Sequence, residues 1–217
     1  MKKVYSLVFL LSFLFFGIHA AVSQSFNGGL ILGGITSQVD GDRYAGFHQF
    51  GLTAGAYVNL PLENHFSLQM ELKYAQMGAH SDVKEVVQYG YNPFSLRFHY
   101  AEVPLMLRYD LGFFNINGKM LDFIVLELGV SADVLLKSQE SADYEPEYES
   151  SHWRLFSMTG NAGLHFDLSE HWGFGVRGMY SIIPIRFTAS PGWFYGHYYN
   201  KVWQATVTYN INASGRR

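Results

Sequence analysis

Three carboxylates and three cations recur at alternate positions of amphipathic segments: Glu71, Lys73, Glu102, Arg108, Glu127 and Arg177. If the six face one enclosed space they must neutralise one another, because an unpaired ion withdrawn from water costs several kcal/mol. If they face solvent they are an ordinary wetted surface. A hydrolase or acyltransferase site is the second chemistry to consider, with Ser95 and His99 near one rim and Asp133 near another. A triad is defined by geometry, and no spacing here supports one, so no catalytic residue is assigned and the chain is read as non-enzymatic. His48, His65, His80, His99, His152, His165, His171 and His197 form no His-x-x-x-His pair, and the chain has no cysteine. Neither a zinc site nor a thiol nucleophile is expected, and no cofactor is implied.

Two stretches suggest contacts rather than catalysis. "KSQESADYEPEYESSHW" (137–153) carries Glu140, Asp143, Glu145, Glu147 and Glu149, a run that suits a solvated loop, a divalent cation or a basic partner. "IRFTASPGWFYGHYYNKVW" (185–203) concentrates aromatics, and Trp193, Phe194, Tyr195, Tyr198 and Tyr199 form a candidate loop contact surface.

The elements that must position these residues are strands. In "FSLQMELKYAQMG" (66–78), Phe66, Leu68, Met70, Leu72 and Tyr74 alternate with Ser67, Gln69, Glu71 and Lys73. A period of two places the sets on opposite faces. Seven other segments read the same way, about Phe26–Val39, Gln49–Leu60, Tyr100–Tyr109, Leu126–Val134, Phe156–Asp167, Trp172–Ser181 and Trp203–Ile211. "PLENH" (61–65) and "SEH" (169–171) are short connections and "DLGFFNINGK" (110–119) a moderate one, whereas 79–95, 137–152 and 184–200 are long, with 40–45 the exception in that set. Short turns at one end and long loops at the other is the layout of an outer-membrane barrel.

The alternative is a soluble barrel or sandwich with the apolar face inside. Three features favour apolar-out. The charges on the polar faces nearly cancel, as a narrow lumen requires. Those faces are rich in Gly and Ser. Aromatics stand near the ends of the apolar faces, at Phe50, Phe66, Tyr74, Tyr109, Phe166, Trp172, Tyr180, Trp203 and Tyr209, as interfacial girdles do.

The composition agrees. Of 217 residues, 48% are hydrophobic and 15% charged, with a net charge of −3, which excludes a disordered chain or a basic nucleic-acid binder. Lys2 and Lys3, the apolar run 4–18 and "AVS" (21–23) have the layout of a secretory signal peptide. The expected organisation is a cleaved signal at 1–23 and a barrel domain over 24–217. The expected fold is an all-β, eight-stranded antiparallel up-and-down transmembrane barrel. Outer-membrane lipid is its expected surrounding, and the expected location is the outer membrane.

"GFHQFGLTAGAYVNL" (46–60), "FSLQMELKYAQMG" and "YAEVPLMLRYD" (100–110) together resemble the PorT-type outer-membrane β-barrel domain of Bacteroidetes. Tyr100, Glu102, Val103, Pro104 and Leu105 occupy that family's "Tyr-Leu-Glu-Ile-Pro-Leu-Leu" strand. "GFGVRGMYSI" (173–182) is similar to its Arg-Tyr strand, with Arg177 in place and Gly178 and Met179 before Tyr180. The resemblance implies a barrel over nearly the whole mature chain, with type IX protein secretion and its machinery as a possible role and partner. The residues themselves point to a non-enzymatic barrel with a charge-filled lumen, acting through extracellular loops in envelope integrity or surface interaction with protein partners. A rim-site enzyme and a porin are the weaker readings.

Overall fold

The computed structural model describes residues 26–41, 46–81, 87, 95–113, 115–116, 119–120, 123–141, 153–187 and 197–211. The segment 1–23 read as a signal peptide lies outside them. Eight long strands dominate: β1 Asn27–Asp40, β2 Gln49–Pro61, β3 Phe66–His80, β4 Ser95–Asp110, β5 Ile124–Ser141, β6 Phe156–Asp167, β7 Trp172–Ser181 and β8 His197–Asn210. Each pairs antiparallel with its sequence neighbour, and β1 pairs with β8 from Gly29 opposite Asn210 to Asp40 opposite Tyr199. The sheet therefore closes on itself as an up-and-down barrel.

At one end the turns are tight. Between β2 and β3, Asn64 and His65 take positive φ (58° and 65°), and the Leu62 N–H donates to the Phe66 carbonyl at 2.8 Å. Between β6 and β7, the N–H groups of Leu168 and Ser169 both reach the Trp172 carbonyl. Both described ends of the barrel chain, Asn27 and Asn210, lie at this same end, which is the periplasmic one in an outer-membrane barrel.

Register shows how the alternation is used. Across β3, β4 and β5 the rows Phe66–Tyr109–Leu126, Leu68–Leu107–Leu128, Met70–Leu105–Val130, Leu72–Val103–Ala132 and Tyr74–Ala101–Val134 stand on one face. Leu72 is 64% exposed, whereas its neighbours Glu71 and Lys73 are 1% and 2% exposed. The apolar face is thus the outside of the barrel and the polar face its lumen. From Phe66 to Tyr74 the band covers roughly 27 Å along a strand at about 3.4 Å per residue. At a tilt near 40° that is about 21 Å of height, close to the apolar band of an outer-membrane barrel. The girdle aromatics meet across strands at its edges, Phe66 with Tyr109 (4.8 Å between centroids) and Trp172 with Tyr209 (5.0 Å) below, Tyr180 with Tyr199 (5.9 Å) above.

Above Tyr74 the pattern inverts. Ala75, Met77 and Ala79 on β3 and Leu96, Phe98 and Tyr100 on β4 point inward and are buried. With Ile35, Val39, Met179, Ile185 and Val202 they build one apolar cluster inside the outer end of the barrel. The network of paired charges therefore fills only the lower part of the lumen, a correction to the expectation that paired charges fill it. The physical reason is that the wall has left the hydrocarbon: above that level headgroups and then water lie outside, and the inside is where apolar side chains lose contact with water.

Loop boundaries are also corrected, the first at 79–95, where β3 reaches His80 and β4 begins at Ser95. Strand β5 continues to Ser141, so 137–141 is not loop, and β8 begins at His197, so Tyr198 and Tyr199 are strand residues. In β5 a bulge hides the continuation: Tyr100 faces Leu135 and His99 faces Lys137, leaving Leu136 unpaired.

Met70, in the middle row, tests the orientation. Met70→Arg is expected to lower unfolding stability in lipid vesicles by roughly 2–4 kcal/mol, and Met70→Leu to leave it nearly unchanged. Equal stability of the two variants in a urea titration would place this face away from lipid.

Candidate functional site

The described residues present no metal-binding cluster and no helix able to cross a membrane, and their chemistry is concentrated in the lumen. Glu71 is its hub. Arg177 reaches across from β7, on the opposite wall, and donates from Nη1 to Glu71 Oε2 (3.0 Å) and from Nη2 to Oε1 (2.9 Å). Nη2 also donates to Glu127 Oε2 at 2.8 Å. Arg108 lies 3.1 Å from Glu127 Oε1 through Nε, an ion pair without hydrogen-bond alignment, and donates from Nη1 to Gln69 Oε1 at 2.7 Å. Gln69 Nε2 donates back to Glu71 Oε1 at 2.8 Å. The circuit Glu71–Arg177–Glu127–Arg108–Gln69 is closed.

Lys73 extends it upward. Its Nζ lies 3.6 Å from Glu71 and 3.3 Å from Glu102, and donates to Gln204 Oε1 at 2.9 Å. Glu102 is fully buried and neither of its oxygens accepts a hydrogen bond, so Lys73 is its electrostatic support. Asp133 stands opposite Glu102 across the β4–β5 ladder and accepts from the Thr159 hydroxyl. All six residues singled out by alternation thus meet in one buried network, together with Gln69 and Gln204, while Asp133 lies buried beside it.

A glycine stands between two members of the circuit. In register, Glu127 on β5 faces Gly163 on β6, and Gly163 faces Arg177 on β7. A Cβ at Gly163 would lie 2.5 Å from the Val176 carbonyl oxygen and 3.2 Å from the Arg177 Cβ. Glycine at this position avoids a clash with the neighbouring strand backbone.

Above the charges the apolar cluster is closed by side chains from the long connections. Trp153 meets Phe98 edge-on (4.6 Å), and the Arg186 guanidinium lies 4.7 Å from the Trp153 ring centre and 5.9 Å from that of Tyr198. Tyr198 therefore caps the lumen, while Tyr199 stacks on Tyr180 outside. These two do not share a surface. Trp193, Phe194 and Tyr195, and the acidic positions 143–149, lie outside the described residues.

The possible triad does not assemble. Ser95 and His99 belong to the outward parity of β4, where the His99 Nδ1 bonds the Tyr74 hydroxyl, whereas Asp133 is turned into the lumen. His65 is a turn residue, and the His171 Nδ1–H donates to the Asn210 carbonyl at 2.9 Å.

A family model for the outer membrane protein beta-barrel domain matches residues 19–186. The chain belongs to that family. Its barrel resides in the outer membrane, and β8, beyond the matched span, closes it. The match is to the barrel domain in general; a PorT-type assignment, and with it type IX secretion, is finer than the match reaches. No curated protein matches the chain. Among solved structures the barrel domain is similar to the attachment invasion locus protein Ail of Yersinia pestis, in a complex with the heparin analogue sucrose octasulfate, at 13% identity and a TM-score of 0.45, over 86% of this chain and 99% of that one. It is similar to Neisserial surface protein A at 10% identity and a TM-score of 0.46, over 86% and 98%. A third similarity is to a de novo designed transmembrane β-barrel, at 11% identity and a TM-score of 0.36, over 84% and 95%.

Sequence reasoning named the six charges but left out Gln69 and Gln204, and read Asp133 as a rim residue, although each has lumen parity on its strand. It also missed the apolar cap, whose signal was the change of parity after Tyr74 and before Ala101.

Glu71→Leu removes the hub and leaves Arg177 and Lys73 short of a counter-ion. The expected loss is about 3–5 kcal/mol, seen as failure to reach the heat-modifiable folded band on a gel. Glu71→Leu combined with Arg177→Leu is expected to recover part of the loss, since two apolar side chains replace an ion pair more cheaply than one orphaned ion. Normal folding of Glu71→Leu alone would mean that Glu71 is solvated.

Proposed function

We propose that this outer-membrane barrel is non-enzymatic and acts from its surface, through its extracellular loops, in envelope integrity or interaction with other molecules, its lumen serving as a structural plug. One observation carries the reading: the lumen is blocked twice, by a closed ion circuit below and by the Phe98–Trp153–Tyr198 cap above. Eight strands leave an interior only wide enough for side chains, and here side chains from every wall occupy it. A porin would need a continuous wet path, and an enzyme would need converging groups that Ser95, His99 and Asp133 do not supply.

Purified barrel reconstituted in a planar bilayer is expected to show no steady conductance. Replacing segments 142–152 and 188–196 with short Gly-Ser turns is expected to preserve the heat-modifiable fold and to abolish complementation of an envelope or adhesion phenotype in a deletion strain. A stable channel in the bilayer, or full complementation by the loop-replaced barrel, would overturn the reading.

A further inference from the structure

Where the pattern inverts, the outside of β3–β5 turns polar apart from the bulged Leu136, which is exposed. One row beyond Tyr74–Ala101–Val134 stand Gln76, His99 and Lys137; in the next, Gly78, Arg97 and Gln139; then His80 and Ser95. Arg97, Lys137, Gln139 and His80 are exposed. No described residue forms an ion pair with Arg97 or Lys137, and no described side chain of this strip is acidic.

Lys137 is on this face because of the bulge. On simple alternation it would share the inward parity of Asp133 and Leu135; the unpaired Leu136 shifts it to stand opposite His99. Between the cations the polar groups are ordered. Gln76 Nε2 donates to the Tyr74 hydroxyl at 3.0 Å, that hydroxyl bonds His99 Nδ1, and His99 Nε2 lies 3.4 Å from Gln139 Oε1. The roles close with the Nε2–H tautomer: Tyr74 donates to Nδ1 and Nε2 donates to Gln139. Gln139 then keeps its amide N–H groups to donate elsewhere.

We propose that Arg97 and Lys137, with the Gln139 amide between them, bind the phosphate of a phosphorylated glycolipid headgroup in the outer leaflet. The charge is complementary, and a guanidinium with an ammonium and an amide is a donor set suited to phosphate oxygens. The height is also right, since the strip begins one row above the last apolar row, where hydrocarbon ends and headgroups start. The site goes beyond the loop-mediated role proposed above and depends only on the barrel standing in the outer membrane.

The test uses the full barrel refolded in detergent and titrated with phosphorylated lipid A, with dephosphorylated lipid A, and with phosphorylated lipid A in the presence of millimolar inorganic phosphate. Arg97→Ala with Lys137→Ala is expected to weaken binding of the phosphorylated lipid about 30-fold, the equivalent of about 1 kcal/mol per cation removed. It should not change binding of the dephosphorylated lipid. Lys201→Ala, an exposed lysine on another wall, should change the affinity less than about threefold. The Arg97→Gln, Lys137→Gln pair replaces the alanine pair should the latter lose its heat-modifiable band. Unchanged affinity in the double variant, an equal loss in Lys201→Ala, or full competition by inorganic phosphate would each overturn the assignment.

Discussion

Hydrocarbon offers no hydrogen-bond partner, so a chain crossing it in strands must pair every backbone N–H and C=O within itself. In this protein the β1–β8 ladder meets that requirement by leaving no open edge. The rest follows from closure at eight strands. The interior is narrow, so side chains must fill it; the faces alternate, so the filling comes from the polar residues; and charged fillers out of water must find counter-ions. The Glu71–Arg177 pair joins opposite walls, its two parallel hydrogen bonds satisfying both carboxylate oxygens.

The same strands solve a different problem at their outer ends. Up to Tyr74 the environment outside is apolar and the inside polar; beyond it water lies outside and the relation reverses. Ala75, Met77 and Ala79 are then what any water-soluble barrel would bury. The barrel is a membrane protein for about four turns of the pleat and a soluble one above, with no break in the ladder between β3 and β4 at the transition. This also explains why the ion circuit sits low: its upper neighbour is an apolar plug that excludes water from it.

Much of this was legible in the sequence because alternation is a direct image of facing. Strands β6 and β7 run from Phe156 to Asp167 and from Trp172 to Ser181, as their patterns indicate. What escaped has physical causes. At Leu135–Leu136 two apolar residues stand together because one of them is bulged, so alternation appears to stop and the strand appears to end. At His197–Tyr199 aromatics occupy both faces, since one side caps the lumen and the other joins the outer girdle, and the stretch looks like a loop. The partners in the ion circuit could not be read at all. Which carboxylate meets which cation depends on the register of strands and on their closure into a barrel, and Gln69 and Gln204 carry no charge to draw attention.

The bulge at Leu136 has a wider bearing. A strand whose faces alternate is read in a frame of two. An odd insertion or deletion anywhere along it exchanges inside for outside for everything that follows, while an even one merely lengthens or shortens the wall. Such a barrel can vary in height only by pairs of residues, unless a bulge absorbs the odd one. Leu136 is such an absorber, and it lies just where β5 passes from lipid to water. The strand above it could therefore be reset without disturbing the wall below.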